Sequence, residues 1–264
     1  MGEKNVLELR DVRKSFGKLC AVDGVSLTIG SGELVAFMGQ NGAGKSTTMR
    51  AIAGLSRIDS GEIRISGRDV HDDPVGARAC LGYVPQELMV YRFLSGEEYL
   101  TLVARIRGVS EDKVTECVEK MLTLCDLTTA RRRMIRDYSG GMARKIAMAG
   151  ALIGRPELIV LDESFVGLDP ESTFKLSRYL KQYAADRGAV LISSHILDML
   201  HELCTRFVIL HHGKIVSDIS RTALDDLLTQ DSEIHEITGY YLKQTGQSDL
   251  IGDLNRNNIK SEGV

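Results

Sequence analysis

The sequence predicts an α/β protein in which a helical block interrupts a mostly parallel sheet. Three observations lead to that class. The first thirty residues alternate apolar and polar with the two-residue period of β-strands. Three later apolar runs, 158–161, 189–193 and 206–211, are strand-sized and nearly continuous, as in strands buried on both faces. Between 87 and about 152 the period becomes helical. A chain of 264 residues that is 43% hydrophobic can bury a sizeable core, as one large α/β domain or two small ones.

Taken in order, Val6, Leu7 and Leu9, then Val22, Val25, Leu27 and Ile29, mark β structure broken by turns at Gly17-Lys18 and Ser31-Gly32. A fully apolar strand, 34–38, runs into a Gly-rich loop and a helix from Ser46 to about Ala53, stopped by Gly54. Residues 61–66 and 82–85 read as short strands. In the helical block, 97–107 and 111–125 are amphipathic, and Met142, Ile146, Ala149, Gly150 and Ile153 fall at helical spacing. The three later strands follow, the last turning at His212-Gly213 into 214–216. Helices of roughly three turns are expected between them, the rhythm of a parallel sheet. The polar stretch from Gly246 to Val264 is expected to be loosely ordered and dispensable for activity.

A formal charge of −3 gives no global reason to expect nucleic acid as a partner, and the absence of Trp argues against a base-stacking surface. No apolar run reaches the length of a membrane span, and the start MGEKNVLELR lacks the apolar core of a signal peptide. The five cysteines, Cys20, Cys80, Cys117, Cys125 and Cys204, never form a CxxC pair, so structural thiols in a reducing compartment are expected.

The strongest chemical signal is Gly39-Gln-Asn41-Gly42-Ala-Gly44-Lys45-Ser46-Thr47, which fits G-x-x-x-x-G-K-[ST] between an apolar strand and a helix. Small residues let backbone N–H groups curl around a phosphate, and the helix start adds partial positive charge. Lys45 can reach the outer phosphates, and the Ser46 hydroxyl can ligate Mg²⁺. The apolar run 158–161 ends in Asp162 and Glu163, carboxylates placed at the sheet edge where α/β proteins bind ligands. Adjacent acids on an extended strand are expected to face opposite ways, one serving metal and one water. These two elements make a P-loop NTPase. Tyr138-Ser139-Gly140-Gly141-Met142 before a helix reads, taken alone, first as an N-cap with a flexible entry and only second as an anion site.

Gly167-Leu168-Asp169-Pro170 soon follows Glu163, and His195 ends the strand 189–193. Together these motifs resemble the nucleotide-binding subunit of ABC transporters across about residues 5–225. The resemblance implies a RecA-like core with an N-terminal antiparallel β subdomain and an inserted helical subdomain at about 87–152. It assigns 1–225 to the nucleotide-binding domain and 226–264 to a short helical and polar extension. It implies ATP and Mg²⁺ as cofactors, with Gly39, Asn41, Gly42, Gly44, Lys45, Ser46 and Thr47 cradling phosphates. Phe16 takes the place of the aromatic that stacks on adenine, although a core Phe fits the pattern equally well. Ser46, Gln86 and Asp162 are implied at the metal, and Glu163, His195 and Gln86 at the reacting water and γ-phosphate. Ser139, Gly140 and Gly141 resemble the signature that completes the ATP site of an opposite subunit, and Asp169 the loop that crosses the dimer interface.

The departures are Tyr138 and Met142 at the ends of the signature, Gln40 in the phosphate loop, and Ser164 after the glutamate. None removes a charged or hydroxyl group. The implied partners are integral-membrane permease subunits and either a second copy or a paralogous ATPase, with no nucleic acid. The implied location is the cytoplasmic face of the membrane. The apolar cluster Leu88, Met89, Val90, Tyr91, Phe93 and Leu94 suits a permease-docking loop or local core. The compact length and the segments 94–100 and 236–243 look most like the exporter branch. A soluble non-transport ABC ATPase would carry two cassettes or a long coiled coil, and a P-loop small-molecule kinase would lack the 138–142, Asp169 and His195 elements.

Overall fold

The computed structural model describes residues 5–230 and 237–247. The elements run β1 (Asn5–Phe16), β2 (Leu19–Gly30), β3 (Leu34–Met38), α1 (Lys45–Ile52), β4 (Ser60–Ile65), β5 (Arg68–Asp69), α2 (Pro74–Ala79) and β6 (Leu81–Val84). Then come α3 (Gly96–Ile106), α4 (Glu111–Leu124), α5 (Gly140–Leu152), β7 (Leu158–Asp162), α6 (Pro170–Ala185), β8 (Ala189–Ser193), α7 (Leu197–Leu203), β9 (Arg206–His211), β10 (Lys214–Ser220), α8 (Arg221–Gln230) and α9 (Ile237–Gln244).

Two sheets result. An antiparallel sheet has the order β2-β1-β4-β5, and a second sheet has the order β10-β9-β3-β8-β7-β6. The second is parallel apart from β10, which returns antiparallel on β9 through the expected turn. Its central strands are buried on both faces, and residue parity decides the face. Leu34, Ala36 and Met38 of β3 join Ile159 and Leu161 of β7 in a core shared with α3 to α6. Val35 and Phe37 join Leu158 and Val160 in a core shared with the antiparallel sheet and α1. That double burial is why these strands read as apolar runs rather than alternations.

The inserted helices are set by local signals. Ser95 and Glu98 form a reciprocal capping box at the start of α3: Glu98 N–H donates to Ser95 Oγ at 3.2 Å, and Ser95 N–H donates to Glu98 Oε2 at 2.8 Å. Tyr99, Leu100, Val118, Met121, Leu122 and Ile146 then bury together as the core of the insertion.

Several expectations need correction. The helix between β8 and β9 has seven residues, about two turns, because a short link from the sheet edge already reaches Leu200 and Leu203 in the core. β10 runs to Ser220, since it keeps pairing with β9 as far as Arg206. Cys125 and Cys204 are buried, and burial pushes the Cys125 thiol up to about 12, whereas Cys20 is exposed, its thiol donating to the Val22 carbonyl at 3.4 Å. The apolar cluster after Gln86 divides: Leu88, Val90 and Leu94 pack on the core, whereas Met89, Tyr91 and Phe93 are exposed. Among the described residues no helix is long and apolar enough to cross a membrane. Beyond Gln247, the polar tail lies outside the described residues, as does Glu236.

Candidate functional site

The phosphate loop forms because β3 delivers the chain to the sheet edge and α1 carries it away. Gly39 and Gly44 have φ of 158° and 107°, and a Cβ would stand 2.6 Å from Leu210 O at the first and 2.2 Å from Ala21 O at the second. Only glycine fits either position, and Gly44 also needs its left-handed backbone. Lys45 opens α1 with 7% exposure, its Nζ donating to Gly39 O at 2.5 Å and Gln40 O at 3.2 Å. Burial pulls its pKa below the usual lysine value, while the charges of Glu163 and Asp162 oppose the shift. A buried ammonium curled over its own loop marks a place where negative charge is welcome.

The carboxylates stand opposite. Asp162 ends β7 at 1% exposure, and its Oδ1 accepts from Ser193 Oγ at 2.8 Å. Glu163 is not extended: its φ is +51°, so the expected strand alternation does not separate the two acids. A backbone kink does, turning Glu163 into the cleft. The Glu163 N–H donates to the Ser193 carbonyl and hydroxyl oxygens, both at 3.1 Å, and its carbonyl accepts from Arg144 Nη1 at 2.8 Å. Its Oε2 accepts from the His195 N–H at 3.2 Å. Its Oε1 lies 3.3 Å from His195 Nε2, buried and without a hydrogen bond. A buried carboxylate oxygen left open toward a cleft is suited to orienting a water.

These groups line one cleft of about 420 Å³, which brings together Phe16, Asn41, Gly42, Gly44, Lys45, Ser46, Thr47, Gln86, Glu163 and His195. Phe16 is 55% exposed at its mouth, so the core reading of that ring is set aside. Asp162 lies beneath the lining, and Gly39 lines an adjoining hollow with His195 and Tyr241. Leu19 and Ala21 line the cleft without any motif to announce them, beside Gln40 of the phosphate loop. Ser193 and Arg144 were equally silent in sequence, because a Ser in a strand and an Arg in a helix carry no signal of their own.

Ser139, Gly140, Gly141 and Asp169 do not line this cleft. Ser139 caps α5, accepting from Met142 N–H at 3.2 Å, and with Gly140 remains exposed. Asp169 caps α6 through Ser172 N–H at 2.8 Å and Ser172 Oγ at 2.7 Å, which holds its carboxyl down to about 2. No group of three or more His, Cys, Asp or Glu poised for a metal occurs among the described residues. A metal here would therefore share hydroxyl, amide and carboxylate donors with phosphate oxygens, the donor set of Mg²⁺.

The family model described as ABC transporter matches residues 22–166. The ABC transporter ATP-binding protein YhcH of Bacillus subtilis (strain 168) is 34% identical over 265 residues, covering 99% of this chain and 83% of its own. The Nod factor export ATP-binding protein I of Rhizobium sp. (strain N33) is 34% identical over 226 residues, covering 84% of this chain and 73% of its own. A solved ATP-binding subunit of an ABC transporter superposes with a TM-score of 0.84 at 31% identity, over 90% of this chain and 99% of that one. The chain belongs to the ABC transporter family, as one of its ATP-binding, ATP-hydrolysing subunits.

Proposed function

We propose that this subunit powers an exporter, working as a head-to-tail pair of copies at the cytoplasmic face of a membrane through separate permease subunits. The observation that carries this reading is a cleft complete on one side only. Phosphate loop, carboxylates and His195 converge on it, while the cap at Ser139–Gly141, exposed at Ser139 and Gly140, lies outside it. A second copy can supply that cap to this cleft. The nucleotide-binding domain is taken as 1–225, with 87–152 inserted and 226–264 as an extension.

In each site, backbone amides of residues 39–47 and Lys45 would hold the phosphates and stabilise charge on the transferring group. Phe16 would stack on the base. Mg²⁺ would be held by Ser46 and Gln86 with Asp162 beneath them, and would supply charge neutralisation at the phosphate oxygens. Glu163 orients and accepts a proton from the water, and His195 holds the γ-phosphate in line. Asp169, capping α6 in the loop that follows Glu163, would reach the dimer interface. ATP favours the closed pair and hydrolysis reopens it, a population shift that can do work.

A groove of about 490 Å³, lined by Val75, Tyr83, Met89, Tyr99, Val103 and Ile106 among others, lies between the sheet edge and the inserted helices. With Tyr91 and Phe93 exposed in the segment that follows Met89, it suits a permease helix, and the export named for the Rhizobium relative supports the exporter branch. The complete set of reactive groups in one chain favours identical copies over a paralogous pair. The family match favours this reading over a kinase.

The test is ATPase activity per subunit as protein concentration is raised at saturating Mg-ATP. Paired sites predict that specific activity climbs and then levels as dimers fill. A specific activity flat from the lowest concentrations upward, with the protein monomeric throughout, contradicts the pairing.

A further inference from the structure

The start of α5 is fastened to the loop that leaves Glu163. Arg144 is half-buried, and its Nη1 donates to the Glu163 carbonyl at 2.8 Å. The next residue, Lys145, donates from Nζ to Ser172 Oγ at 3.1 Å and lies 3.7 Å from Asp169 Oδ2. A Cβ on Gly141 would stand 3.1 Å from the Gly167 carbonyl oxygen, so the first turn of α5 approaches the 163–170 loop closely.

Glu163 needs such fastening. A non-glycine residue at φ +51° persists only where its surroundings over-determine it. Its N–H side is tied to Ser193 on β8. Among the described residues its carbonyl side has only the long turn contact from Val166 N–H, at 3.4 Å, besides Arg144. Arg144 is therefore the one side chain among the described residues that fixes the far end of this peptide, and it comes from the helix that Ser139 caps.

We propose that Arg144 is a positioning residue for Glu163, which locks the carboxylate of one ATP site to the helix whose start closes the other. This rests on the paired-site reading above. Seating Ser139 against a partner's nucleotide then also seats Arg144, and through it the carbonyl that sets where Glu163 aims. Arg144 is absent from the cleft lining, so its effect falls on the chemical step rather than on nucleotide binding.

Arg144→Ala should lower kcat by about ten- to a hundredfold, the scale of a small misplacement of a reacting group. ATP affinity and Tm should remain those of the wild type. Arg144→Lys should restore much of the rate, because one N–H donor to one carbonyl needs no guanidinium fork. Wild-type kcat in Arg144→Ala would overturn the proposal. So would a loss in which kcat, ATP affinity and Tm fall together and Lys fails as badly as Ala, since that is the pattern of a purely structural tie. Sizing of Glu163→Gln with Mg-ATP, with and without Arg144→Ala, separates the two readings. Dimers in both, with the kcat loss above, support the proposal in full. Monomers in both overturn the paired site and with it the link between sites, while the kcat loss would still identify Arg144 as positioning Glu163 within one chain.

Discussion

Replacing Glu163 by glutamine is expected to lower ATP turnover by roughly 10²–10⁴-fold, the range for loss of a general base, while ATP binding survives. The amide keeps the length and shape of the side chain. It also keeps an oxygen for the His195 N–H, which the native Oε2 accepts at 3.2 Å. What is lost is basicity at Oε1, the buried oxygen that no protein hydrogen bond claims. With hydrolysis blocked, dimers should accumulate with Mg-ATP and be visible by size-exclusion chromatography. Near-normal turnover in this variant, with a monomer in ATP, would mean that another group activates the water.

Lys45→Ala should have the second largest effect, lowering both ATP affinity and turnover, the latter by roughly 10²–10³-fold as for other preorganised donors to developing charge. The ammonium is 7% exposed and held by two loop carbonyls, so its desolvation is already met in the folded chain. It can swing to a phosphate without further loss of water. An ATP titration that finds unchanged affinity would mean that the loop does not cradle phosphate.

Much of this was legible in the sequence because the determinants are local. The apolar run of β3, the glycines at 39, 42 and 44, and the run ending at Asp162 lie within short windows, and each has one physical reading. The segment 138–142 was legible as an N-cap, which Ser139 is, and the second role proposed for it would depend on a partner that no single chain contains. What stayed hidden was long-range. Ser193 meets Asp162 and Glu163 only because β7 and β8 pair in parallel, with Asp162 opposite Ser193. Arg144 reaches Glu163 from a helix 19 positions upstream. The kink at Glu163 was misread as strand alternation, because a left-handed glutamate is held by its surroundings and not by its own preference. The shortness of α7 was misread for a similar reason: periodicity reports that a helix exists, and the distance between strand ends decides its length.

The central claim is that each ATP site is shared between two chains, and ATP turnover by Ser139→Arg tests it most directly. Ser139 is exposed and does not line its own chain's cleft, so the substitution leaves the Lys45 and Glu163 side of the site untouched. The account predicts ATP binding to the isolated subunit with turnover near background. It also predicts recovery on mixing with Lys45→Ala, to at most roughly a quarter of the wild-type rate if sites act independently. Wild-type turnover by Ser139→Arg alone would contradict it, for the residues 138–142 would then complete no ATP site at all.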